Sequence, residues 1–92
     1  MKKIALVLIL LFTTTSTIEA RCDTVGVVKG LDYYGDNFLS VRTGPSTRYG
    51  ATDHLYNGDI VRICDWRRDW LRIRYSGGRY GWVYGKYIRT RY

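Results

Sequence analysis

Beyond residue 24, turn-forming residues come too often in this sequence for a helix of any length. Thr43-Gly44-Pro45-Ser46, Asn57-Gly58 and Ser76-Gly77-Gly78 divide it into short runs, and Gly and Pro in such clusters end regular elements. The runs between them alternate and favour β-branched and aromatic residues, while Ala is nearly absent, a composition that suits strands. Strands are predicted at Thr24–Val28, Phe38–Arg42, Ala51–Tyr56, Asp59–Cys64, Trp70–Tyr75 and Tyr80–Tyr84. Short strands spaced this closely define an all-β chain, a small barrel or sandwich. Pro45 cannot donate to a ladder and Gly44 is free to take a positive φ, so a strand stops there. Asn57-Gly58 predicts the positive φ angles of a tight hairpin. Gly81 is expected where a strand bends close to another backbone. Gly30 to Asn37 forms a long polar-aromatic loop.

The first twenty residues have another character. Lys2 and Lys3 precede an unbroken apolar run, Ile4 to Phe12, and a Thr/Ser stretch leads to Ile18-Glu19-Ala20. A charged start, about 7–15 apolar residues and a small residue at the exit are the parts of a secretory signal. The run falls short of the ~20 residues of a membrane-spanning helix. Residues 1–20 are therefore expected to be a cleaved signal peptide, give or take a residue or two at the cut, and residues 21–92 a single domain. Arg21 before Cys22 argues against a lipoprotein signal.

Export bears on the two cysteines. A lone pair in an exported chain defaults to a disulfide, here Cys22 with Cys64. A metal site would need three or four ligands, and His54 is the one other soft donor. A thiol nucleophile would need a free cysteine of low pKa. No cofactor or metal is expected.

The chain carries a net charge of +7, which becomes +6 without Lys2, Lys3 and Glu19. Such a surface attracts anionic polymers. After export, wall polymers, lipopolysaccharide phosphates and acidic proteins are more accessible than nucleic acid, which is disfavoured as a partner.

Three segments in order carry a family resemblance: Leu39-Ser40-Val41-Arg42-Thr43-Gly44-Pro45-Ser46; Leu55-Tyr56-Asn57-Gly58-Asp59-Ile60-Val61; and Asp69-Trp70-Leu71-Arg72-Ile73 with Gly81-Trp82-Val83 and Lys86-Tyr87-Ile88. Together they resemble the bacterial Src-homology-3 (SH3) family, over Thr24 to Arg89. The resemblance implies an SH3-like barrel of five to six short antiparallel strands in two packed sheets. It also implies a cell-wall association, with catalytic domains carried as separate modules.

Alternation separates core from surface. In Trp70–Tyr75 the core face is Leu71, Ile73 and Tyr75, which turns Trp70, Arg72 and Arg74 outward. Val83 points in, so Trp82 and Tyr84 point out. Exposed aromatic clusters are binding-surface candidates. The resemblance implies a peptide groove in which Trp70 matches the strand-opening tryptophan and Tyr87 the final tyrosine. Tyr84 stands where eukaryotic relatives have proline, a departure that bears on recognition of proline-rich ligands. Tyr33 and Tyr34 are the candidates for an aromatic pair in the long loop, where Asp32 and Asp36 could meet a cationic group. Ordinary packing is the alternative for each tyrosine. Arg62, Arg72, Arg74 and Arg79, with Arg67 and Arg68 nearby, could form one basic face, or simply a solvated one. Nothing in the spacing ties His54 to a second catalytic group, and an enzyme is not expected.

Two functions fit. One is an exported, non-catalytic module that recognises a peptidoglycan peptide or glycan through the aromatic groove. The other is a protein-protein interaction domain, an adaptor or inhibitor acting on another envelope or secreted protein. Adhesion to anionic envelope polymers through the arginines is a weaker third. A periplasmic or extracellular monomer with no transmembrane segment after cleavage is expected in each case.

Overall fold

The computed structural model describes residues 21–91, and the signal-peptide expectation for residues 1–20 lies outside them. Seven strands follow in order: β1 Thr24–Val28, β2 Leu39–Arg42, β3 Ala51–Leu55, β4 Ile60–Arg67, β5 Trp70–Tyr75, β6 Arg79–Tyr84 and β7 Ile88–Thr90. All pairings are antiparallel, in the order β3-β2-β6-β5-β4-β1-β7. The all-β, SH3-like expectation holds. The seventh strand is β7, whose three residues after a single 3-10 turn at Gly85–Tyr87 are too few to show alternation. β2 meets β6 at one ladder pair, Arg42 with Trp82. The β2–β3 hairpin is thus nearly a sheet of its own, hinged to the other five strands. Gly81 makes the approach possible, because a Cβ there would run into the Val41 side chain.

Alternation places the core. Val28, Leu39, Val41, Leu55, Val61, Ile63, Ile73, Tyr75 and Val83 are buried, one or two from each of the first six strands, with Leu31 from the long loop beneath them. Leu71, Tyr87 and Ile88 pack at its margin. Each fully buried aliphatic side chain contributes about 1.5–3 kcal/mol, and a core this small gains from a covalent tie. The Cys22–Cys64 disulfide provides it. β4 runs to Arg67 rather than stopping at Cys64, because the ladder skips a residue: Ile63 faces Ile73 and Asp65 faces Arg72. Cys64 is the extra residue of this bulge and has no partner in β5. With Thr24 opposite Ile63, Cys22 arrives beside it.

Two turns differ from expectation. Asn57-Gly58 does not close a hairpin, since β3 pairs only with β2 and β4 only with β1 and β5. Gly58 alone has positive φ, +95°, and the Asp59 amide donates to the Tyr56 carbonyl (3.0 Å). That is a turn with one left-handed position, and the strands diverge from it because the Gly58 amide is held by the Val28 carbonyl (2.8 Å). Gly44 is not left-handed either. Its role is close approach: a Cβ there would stand 2.5 Å from the Tyr49 ring, which lies across it.

Candidate functional site

The site begins with two cross-strand partners. β5 opens on Trp70 and β6 closes on Tyr84, and antiparallel pairing sets them opposite each other. Both face away from the core, as alternation requires, and their ring centroids lie 5.7 Å apart with planes tilted by 52°. Tyr87, on the following 3-10 turn, continues the row 6.1 Å from Tyr84. Trp70 and Tyr87 are partly buried and Tyr84 is exposed. The three aromatic positions read from strand alternation and from the resemblance thus lie in one row.

Trp70 and Tyr84 line a groove of about 1170 Å³. One wall is the loop between β2 and β3, with Arg42, Pro45, Arg48 and Tyr49; the other is the β4–β5 turn, Arg67-Arg68-Asp69. Phe38 also lines it, stacked on His54 with ring centroids 3.9 Å apart. The loop wall is internally braced. Arg42 Nη1 donates to the Tyr49 carbonyl (2.9 Å), the Arg48 amide donates to Ser46 Oγ (3.1 Å), and the Tyr49 amide donates to the Ser46 carbonyl (3.2 Å). In the opposite wall Arg68 has φ +56°, the one non-glycine in the left-handed region among the described residues. Arginine has no preference for that region, and such strain gathers at functional sites.

Tyr33 and Tyr34 lie elsewhere. They pack edge to face on each other, 5.5 Å between centroids, are 75% and 94% exposed, and do not line the groove. Asp32 folds back on its own loop, accepting from the Tyr34 amide (2.9 Å). Of the arginines expected on one face, Arg62, Arg72 and Arg74 share the outer face of β4 and β5, while Arg79 turns to Asp53. Arg62 and Arg74 are direct cross-strand partners. Arg72 lies over the Tyr80 ring, 4.7 Å from its centroid. Arg79 is drawn to Asp53 at 2.7 Å, and the Tyr75 hydroxyl donates to the same carboxylate oxygen (3.1 Å). The His54 amide bond to its side chain, then Tyr75 and Arg79, hold the Asp53 carboxyl below the usual range, and desolvation only partly opposes them. Burial, then the Asp53 carboxylate, raises the Tyr75 phenol above its ordinary value. Arg67 and Arg68 belong to the groove instead.

Arg42, Pro45, Arg48 and Tyr49 were not legible as site residues. Gly44-Pro45 reads as a strand terminator, and only the β2–β6 contact brings that loop over Trp70. The one local hint is the pair of arginines flanking the loop.

The sequence profile of the bacterial SH3 domain matches residues 37–89, and the chain belongs to that family. The match includes every groove residue and Tyr87, and leaves out Tyr33 and Tyr34. The chain is also 30% identical, over 83 residues and 90% of its length, to the Bacillus subtilis (strain 168) protein named "Putative N-acetylmuramoyl-L-alanine amidase YrvJ". It spans 16% of that protein's length.

Proposed function

We propose that this protein is an exported, non-catalytic module that binds a peptidoglycan peptide or glycan in the groove above Trp70 and Tyr84. The observation that carries this reading is the Trp70–Tyr84 pair, two outward aromatic side chains set together at the base of an open groove. Aromatic faces next to hydrogen-bonding groups suit ligands with alternating apolar and polar surfaces, as sugars and short peptides have. Membership of the bacterial SH3 family, and a relative named for cleaving a wall amide, favour the cell wall as the source. The signal-like residues 1–20 and the disulfide favour an oxidising, extracytoplasmic location.

The test is sedimentation of the mature protein with purified sacculi. Binding is expected for the native sequence, with about a tenfold loss in Tyr84→Ala, in line with removal of an aromatic anchor. Tyr84 is exposed enough to be removed without loss of the fold, which circular dichroism would check. Failure of the native protein to sediment would overturn the reading. Capture of a stoichiometric envelope protein in its place would make the protein an interaction domain.

A further inference from the structure

The groove is flanked by more positive charge than its own carboxylate can balance. Arg42, Arg48, Arg67 and Arg68 line it, and Asp69 is the single acid among its lining residues. Among the described residues the one ion pair within 4.0 Å is Arg79 with Asp53, and neither residue lines the groove. Arg42 is engaged by the Tyr49 carbonyl. Arg48 on one wall and Arg67 and Arg68 on the other are exposed and have no carboxylate partner among the described residues. Exposed guanidinium groups gathered along one groove make its potential positive, which favours an anion there. A guanidinium donates only, in a fork that fits a carboxylate bidentately.

We propose that the groove selects free carboxylates on the bound wall peptide, and that amidation of those carboxylates weakens binding. This rests on the wall-binding reading above. An N-acetylated glycan whose lactyl groups are amide-linked offers the arginines no charge, whereas a γ-linked glutamate in a wall peptide keeps its α-carboxylate. Converting that carboxylate to an amide removes the charge and replaces one acceptor oxygen with an NH2 facing a donor. Trp70 and Tyr84 hold the apolar part of the peptide in either case, so selectivity comes from the walls of the site and basal affinity from its base.

The experiment titrates the mature protein with two probes, a disaccharide-tetrapeptide with free carboxylates and the same molecule amidated. Intrinsic tryptophan fluorescence reports binding at low and high salt. The free form is expected to bind about fivefold more tightly at low salt, the upper range for an exposed charge pair, and high salt should narrow the gap. Arg48→Gln and Arg67→Gln should each weaken the free form several-fold more than the amidated one, narrowing the gap between the two probes. Arg89→Gln on β7, outside the groove, should change neither. Equal affinity for both probes would overturn carboxylate selection and leave wall binding standing. The same loss for both probes in the arginine variants would also overturn it. Binding of neither probe would overturn both proposals.

Discussion

The Asn57 side chain is clamped to the backbone of Leu31, twenty-six residues away. Its Oδ1 accepts from the Leu31 amide (3.1 Å) and its Nδ2 donates to the Leu31 carbonyl (3.3 Å). The carboxamide copies the pattern of a neighbouring strand and anchors the 29–38 loop where no ladder reaches. Leu31 is buried, so removing its partner leaves two polar groups poorly satisfied. Asn57→Ala should cost about 1–2 kcal/mol, at roughly 1 kcal/mol per hydrogen bond, and Asn57→Asp should lose mainly the donated bond. Urea denaturation measures the cost, and faster hydrogen exchange at the Leu31 amide would localise it.

The disulfide should be worth more than any single side-chain contact. Cys22 and Cys64 are 42 residues apart, and closing a loop of that size removes about 4 kcal/mol of unfolded-state entropy. Replacing both cysteines with alanine should lower the unfolding free energy by about that amount, close to the whole stability of a small domain. Thermal melts of the variant, or of native protein with and without reductant, measure it. A fall of under about 1 kcal/mol, below the usual range for a native bridge, would mean that the bulge and the N-terminal segment hold together without the bond.

Arg68 should trade stability for its place in the groove wall. A non-glycine residue in the left-handed region is strained by about 1–2 kcal/mol, and glycine relieves that at some entropic cost. Arg68→Gly should therefore stabilise the protein by about 0.5–1 kcal/mol while weakening wall binding. A lower melting temperature together with unchanged binding would show that the turn conformation serves neither.

The Asp53, Tyr75 and Arg79 cluster gives stability a dependence on pH at both extremes. The Asp53 carboxyl titrates lower in the folded protein than in the unfolded chain, so its stabilisation is present above the unfolded pKa, about 4. That contribution is lost as pH falls through the lower folded value. The Tyr75 phenol is raised, so its contribution is complete below about pH 10 and is lost as pH rises through the folded value. Asp53→Asn should flatten the acid limb, and Tyr75→Phe the alkaline limb, in denaturation midpoints measured against pH.

Positions governed by local period were legible from sequence. Leu71, Ile73 and Val83 had to point inward, so their neighbours Trp70, Trp82 and Tyr84 had to face out, while the register that sets Trp70 opposite Tyr84 came from the structure. Tyr49 and Arg48 could not be anticipated, because their place depends on how β2 meets β6, through one ladder pair that leaves no periodic trace. Asn57-Gly58 misled for a physical reason: the dipeptide serves hairpins well, but here the asparagine side chain has a partner in a distant loop and only the glycine turns left-handed. That clamp also helps set the course of the loop that takes Tyr33 and Tyr34 away from the groove.

β7 lies beside β1, with Thr90 opposite Gly26 and the Arg91 amide donating to the Val25 carbonyl (2.9 Å). Entry and exit of the described chain therefore share one doorway, formed by strands that contribute no residue to the groove. A unit built this way is portable. It can be spliced into a host loop, strung in tandem or circularly permuted through a short bridge, and the groove need not register the change.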